Sequence, residues 1–170
     1  VLGEEGGLIV FGGYKIKKGE LPTYLSDVRE LNLQGMEWRN LSTSGSPFPS
    51  GRFGHTSAIY GNQMVFFGGY SPTTRRKYGV AEERHPNDVT PDEDLKDDAG
   101  GIDEKDGKLP HLFALDTEHL DWWQPTSEGE PPEMRYGHSM TYVGEGHFLI
   151  FGGWDGTRAL NSLVDMQIPG

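Results

Sequence analysis

The sequence predicts an all-β protein built from a repeated unit. Two observations carry that prediction. An apolar run closed by a glycine pair occurs three times, as LIVFGG at 8–13, MVFFGG at 64–69 and FLIFGG at 148–153. Turn-forming residues are abundant, with 25 glycines and 11 prolines in 170 residues, and no stretch shows convincing helical periodicity. Short runs rich in Val, Ile and Phe and bounded by Gly read as strands buried on both faces. The glycines then provide backbone freedom, and room for a close neighbour, where each strand stops. A phrase repeated three times makes internal repetition the first question to settle.

Taken in order, the chain says the same things twice and begins a third time. After Gly12 and Gly13 comes a lysine-rich connection at 14–24, then a strand expected over 25–33 with Leu25, Leu31 and Leu33 on one face. Gln34-Gly35 marks a turn and 37–41, containing Trp38, reads as another strand. A loop at 42–51 with Gly45, Pro47 and Pro49 leads to Arg52-Phe53-Gly54-His55 and a strand ending at Tyr60. Gly61-Asn62 is a hairpin signal that delivers the second glycine-pair strand. The second pass repeats these parts: a strand over 109–117, Trp122 seven residues after Leu115 as Trp38 is seven after Leu31, and Arg135-Tyr136-Gly137-His138. The third pass holds the strand ending at Gly152-Gly153 and a strand over 160–168.

One joint differs. The connection after the glycine pair has 11 residues in the first unit and six in the third, but 39 at 70–108. Within it, 82–106 holds 11 acidic and 3 basic residues, a net charge of −8 from 3 − 11. Such composition predicts a mobile acidic loop. Its aspartates lack the order of a calcium loop, so a solvated loop is the expected reading and no metal site is predicted. Thr90-Pro91 could receive a phosphate there, and Asn40-Leu41-Ser42 is a glycosylation sequon of chance frequency.

Composition narrows function further. The formal charge of −11 disfavours a nucleic-acid surface, which needs clustered positive charge. The absence of cysteine removes disulfides, thiolate nucleophiles and Cys zinc sites, and fits a cytoplasmic location. With no charged-then-apolar leader and no apolar run near 18 residues, neither a signal peptide nor a membrane span is expected. No phosphate-cradling glycine loop opens a helix, no catalytic residues stand out, and no cofactor is predicted.

The glycine pair after an apolar strand, the Leu/Val strand, the Trp and the Arg-x-Gly-His, in fixed order, resemble the kelch repeat. The resemblance covers nearly the whole chain outside 70–108. It implies a β-propeller of four-stranded antiparallel blades, strands A to D running outward from the axis. The chain would hold strands B–C–D of one blade at 1–43, a full blade at 52–127 interrupted by the 70–108 loop, and A–B–C of a third at 135–168. This partial propeller would be completed by further blades of a longer chain or by self-association. Gly12, Gly13, Gly68, Gly69, Gly152 and Gly153 are then structural. Trp38 and Trp122 are expected to pack between blades, and His55 and His138 to be hydrogen-bonded inner-strand residues.

The resemblance also implies a binding surface. In many kelch propellers an Arg at the position of Arg52 and Arg135 reaches the channel mouth and grips an acidic group; the alternative is an Arg that staples the blade internally. Strand parity puts the B–C and D–A loops on one face, gathering Tyr14, Phe53, Tyr70, Tyr136, Trp154 and Arg158 with those arginines. The expected function is a non-catalytic interaction module, a scaffold or adaptor binding a protein or peptide there. A ubiquitin-ligase substrate receptor, a structural segment of a large assembly, and the propeller portion of a longer enzyme remain open. Oxidases resembling kelch propellers need a Cys–Tyr crosslink, which this chain cannot form. The iron motif of the kelch-type specifier proteins is likewise absent.

Overall fold

The computed structural model describes residues 7–72, 109, 111–128 and 132–169. The expectation for the acidic loop therefore lies almost wholly outside the described residues. Within them the strands form three stacked antiparallel sheets and a small hairpin.

In the first sheet β1 (Gly7–Phe11) pairs with β4 (Val28–Asn32), and β4 with β5 (Glu37–Leu41). Between β1 and β4 the chain makes the hairpin β2 (Tyr14–Lys15) and β3 (Thr23–Tyr24). The second sheet runs β7 (Thr56–Tyr60), β8 (Gln63–Phe67), β9 (Leu112–Asp116) and β10 (Asp121–Trp123), each antiparallel to the next. A fifth short strand, β6 (Ser44–Gly45), lies parallel to β10 on its outer edge. It belongs to the linker that has just left the first sheet. The third sheet is β11 (Ser139–Gly144), β12 (His147–Phe151) and β13 (Leu163–Gln167).

Side-chain alternation explains how the sheets stack. Met64, Phe66, Phe113, Leu115 and Trp122 point from the second sheet to Ile9, Phe11 and Val28 of the first. Val65, Phe67, Leu112 and Ala114 point the other way, to Phe148, Ile150 and Met166 of the third. The two cores thus share one sheet. The expectation that all three glycine-pair strands are buried on both faces holds only for β8, where Met64, Val65, Phe66 and Phe67 are all buried. In β1 and β12 burial alternates, leaving Val10 and Phe151 exposed, because the first and third sheets each have one neighbour among the described residues.

The same cause corrects the expectation for Trp38. Its counterpart Trp122 is 2% exposed, ringed by Phe11, Phe48 and Phe66, whereas Trp38 is 54% exposed. Trp38 lies opposite Leu31 on the face turned away from the second sheet. The strand expected over 25–33 is also shorter than read. It is Val28 and Glu30 that are buried, while Leu33 is exposed, so the alternation is set by residues the leucine spacing did not pick out.

The glycine pairs join the sheets. Strand ends meet there at distances that a side chain would prevent. A Cβ on Gly12 would stand 2.8 Å from the Arg52 carbonyl and 3.2 Å from His55; one on Gly68 would stand 2.7 Å from His138. In the first two pairs the first glycine thus receives the Arg-x-Gly-His of the following sheet, and the second donates to it: Gly13 N–H to the Arg52 carbonyl at 2.8 Å, Gly69 N–H to that of Arg135 at 2.9 Å.

Candidate functional site

One end of the stack carries the loops that follow the glycine pairs and the linkers that enter β7 and β11. Its most continuous feature is aromatic. Phe53 sits at the centre, with ring centroids 4.9 Å from Tyr14, 6.0 Å from Tyr24, 5.5 Å from Tyr70 and 6.0 Å from Tyr136. Tyr70 and Tyr136 meet edge to face at 5.9 Å. Such offset and edge-on arrangements suit the ring quadrupoles and hold rigid apolar area in place.

Backbone pairing fixes the cluster. Phe53 and Tyr70 exchange both N–H···O bonds, at 3.1 and 2.8 Å; Tyr136 and Trp154 do the same, at 3.0 and 2.9 Å. Tyr14 lies opposite Tyr24 across β2 and β3. The aromatic directly after each glycine pair is therefore tied to a specific neighbour. Tyr14 and Trp154 are exposed, Phe53 and Tyr136 partly so, and Tyr70 is buried beneath them. Tyr24 was missed in the sequence; its only signal was its placement across the 14–24 connection from Tyr14.

Arg158 stands at the rim. Its guanidinium contacts Asp155 at 3.3 Å and Glu133 at 3.9 Å. Asp155 caps its own loop, accepting N–H bonds from Thr157 and Arg158 at 2.7 and 2.8 Å. Those bonds, led by the one from Arg158, hold its carboxyl down at about 2.

Of the two readings open for Arg52 and Arg135, the structure carries the internal staple and not the grip at the channel mouth, each residue being only 2% exposed. Arg52 donates to the Ser50 carbonyl at 3.0 Å and the Gly68 carbonyl at 3.1 Å, and its guanidinium lies 4.9 Å from the centroid of Phe113. Arg135 repeats the pattern, donating to the carbonyls of Glu133 at 3.0 Å and Gly152 at 3.2 Å and to the Ser162 hydroxyl at 3.2 Å. Each arginine ties the start of its sheet's inner strand to the carbonyl of its own glycine pair. In Arg52 all three guanidinium nitrogens are used in this way, and in Arg135 Nε and Nη1 are. Burial lowers the Arg52 pKa to about 10, and desolvation also lowers that of Arg135. An open cleft of about 380 Å³ lies beside Arg135 and is lined also by Glu133, Arg158, Leu160 and Val164.

His138 bonds the Thr56 hydroxyl at 2.7 Å across the boundary between the second and third sheets. Burial, then the Arg52 charge, pushes His55 down to about 4, against a bond to the Phe11 backbone that raises it. Burial, then the Arg135 charge, does the same to His138, also to about 4. His111, which was not singled out in the sequence, is buried against Phe67 at 4.9 Å and is likewise lowered to about 4 by burial and then Arg52. These neutral imidazoles serve the joints between sheets. Among the described residues no group of His, Asp or Glu has the arrangement to hold a metal ion.

Comparison with known proteins gives a consistent assignment. No family model matches the chain. Kelch domain-containing protein 2 of Mus musculus is 30% identical over 160 residues, covering 92% of this chain and 35% of that protein. Acyl-CoA-binding domain-containing protein 5 of Arabidopsis thaliana is 26% identical over 158 residues, 92% of this chain and 18% of its own length. Host cell factor 1 of Rattus norvegicus is 28% identical across 86% of this chain and 9% of its own length. The chain thus spans about a third or less of these relatives. Among solved structures, the one titled "Structure of YjhT" superposes with a TM-score of 0.62 at 16% identity, covering 98% of this chain and 46% of that one.

Proposed function

The chain belongs to the kelch-repeat family, and we propose that it works as a non-catalytic interaction module whose partner, a protein or peptide, docks on the aromatic end of the stack. One observation carries this reading: aromatic residues from all three sheets converge into a single cluster at the loop-bearing end, with Tyr14 and Trp154 exposed at its margins. Aromatic side chains are enriched at interface centres because they bury large area at low entropic cost. The cluster is already held by backbone pairing, so little ordering cost falls on the binding step. Arg158 provides a charged rim with its side chain 69% exposed. The buried Arg52 and Arg135 shape this surface from below. Further blades of a longer chain would complete the propeller around it, and the alternative of a ligase substrate receptor belongs to the same docking chemistry.

The test is to select peptides from a random library on the immobilised chain and measure their affinity for variants. Tyr14→Ala with Trp154→Ala should weaken the selected ligands about tenfold or more. Trp123→Ala should not; its indole donates to Gln63, beside the hairpin turn at the opposite end of the sheet. Equal loss with both variants, or no loss with the first, would overturn the proposal.

A further inference from the structure

β5 and β10 are copies of one strand, and among the described residues only β10 has a further strand on its outer edge. Both follow the same turn: Asn32 accepts N–H bonds from Gln34 and Gly35 at 2.9 and 2.8 Å, and Asp116 accepts from Glu118 and His119 at 2.9 Å each. Both are entered through a non-glycine residue in the left-handed region, Met36 at φ 52° and Leu120 at φ 60°. A conformation that L residues seldom adopt, recurring at the same step, sets the two strands up alike.

On β10 the next group of contacts is made by the linker segment at 43–48. Ser44 N–H donates to the Leu120 carbonyl at 3.0 Å, and the Ser44 hydroxyl donates to the Asp121 carboxylate. The Trp122 indole N–H donates to the Thr43 hydroxyl at 3.1 Å, and Phe48 packs edge-on to the Trp122 ring at 5.7 Å. Gly45, at φ 90°, passes so close that a Cβ would stand 2.6 Å from the Trp122 nitrogen. The corresponding groups on β5 are the Met36 carbonyl, the Glu37 carboxylate and the Trp38 indole. No described strand lies on the outer edge of β5. Met36 is 67% exposed and Trp38 54%.

We propose that the outer edge of β5 is a strand-addition site for an extended, uncharged Thr/Ser-Ser-Gly segment followed by an aromatic residue, supplied by a blade outside these 170 residues. The segment joins parallel to β5, with its Gly against the Trp38 backbone and its hydroxyls on Glu37 and the Trp38 indole. Main-chain pairing gives affinity, and the two hydroxyls with the glycine give selectivity. A second copy of this chain is a poor source. Its own 43–45 segment is held on β10, and in the next linker Glu128 is paired with Gln167. This site is independent of whatever the aromatic end binds.

The test fuses Thr-Ser-Gly-Ser-Pro-Phe, the sequence at 43–48, to the N-terminus through a flexible Gly/Ser linker of about 20 residues, which gives a high effective concentration. Hydrogen exchange of the amides of 37–41 should slow at least tenfold, and Trp38 emission should shift to the blue. Replacing the glycine of the fused segment by valine should return both to the values of the unfused chain. Tyr14→Ala with Trp154→Ala should leave the protection unchanged, which separates this result from the aromatic-end reading. Equal behaviour of the glycine and valine fusions, or no protection by either, overturns the proposal. Protection of 37–41 in the unfused chain, rising with concentration as the mass doubles, would assign the edge to a second copy and overturn the choice of source.

Discussion

At the scale of single residues, the joints between sheets rest on glycines and histidines whose roles the structure separates. Gly68 and Gly152 share nearly the same backbone conformation, φ 71° and 69°. Only Gly68 is approached by His138, whereas the nearest atom to a Cβ on Gly152 is the Leu160 carbonyl at 3.5 Å. Gly152→Ala should cost about 1–2 kcal/mol for its left-handed backbone. Gly68→Ala should cost roughly 2 kcal/mol more, since the neighbouring sheet must also shift; urea unfolding of the two variants measures the difference. The histidines give a pH signature. His55, His111 and His138 sit near 4 in the fold against 6.5 when unfolded, so the unfolded chain binds more protons between those values. Stability is therefore fully present above about pH 6.5 and falls as pH drops toward 4, by up to about 1.4 kcal/mol per unit for each histidine. Asp116, held near 2 chiefly by the His119 N–H, adds a second decline only below its ordinary 3.8. Melting curves from pH 7.5 to 4.5 should show the first decline. His138→Gln should flatten it, and an unchanged profile would place that imidazole's charge outside the folding balance. The repeat spacing made His55 and His138 legible as matched residues, but His111 belongs to no motif and only packing reveals it.

At the scale of elements, the strands were legible from apolar runs and turn signals, and their burial was not. Period-two alternation tells which residues share a face, but whether that face is covered depends on a neighbouring sheet that no local pattern encodes. Trp38 and Trp122 show this most directly. Trp122→Ala should destabilise the chain by about 3–5 kcal/mol, as expected for a large side chain removed from a packed core. Trp38→Ala should change stability by less than about 1 kcal/mol in these 170 residues, because its ring is already half in solvent. Chemical unfolding of both variants distinguishes them, and a large loss on Trp38→Ala would mean that its strand is covered in solution. The arginines were legible to the same limited extent. Their spacing marked Arg52 and Arg135 as equivalent, yet spacing alone could not separate a ligand-binding fork from an internal staple. The carbonyls of Gly68 and Gly152, 16 and 17 residues downstream, settle where the donors go. The linker strand β6 had no signal beyond Gly45, whose necessity appears only once Trp122 lies against it.

At the scale of the whole molecule, the stack has a shared middle and two unlike ends. The aromatic cluster draws on all three sheets, so the candidate site exists only when the sheets are assembled; from sequence, its parts were visible as the residues following each glycine pair, without their contacts. The face of the third sheet turned away from the second carries Phe151, 53% exposed, directly opposite Leu163, 64% exposed. The two form an exposed apolar pair across β12 and β13. Exposed apolar sheet surface favours association. A cross-strand pair of opposite charge preserves the pairing while removing that surface. Phe151→Glu with Leu163→Lys should therefore leave the melting temperature of the 170-residue chain within a few degrees and reduce its self-association in sedimentation experiments. In a longer protein in which another blade covers this face, the same substitutions would bury two charges in an apolar contact, at a cost of several kcal/mol. Measuring both proteins side by side reads out whether the face is covered: a neutral effect in the short chain with a large loss in the long one identifies an interface between blades, and an equal effect in both shows that the face stays open.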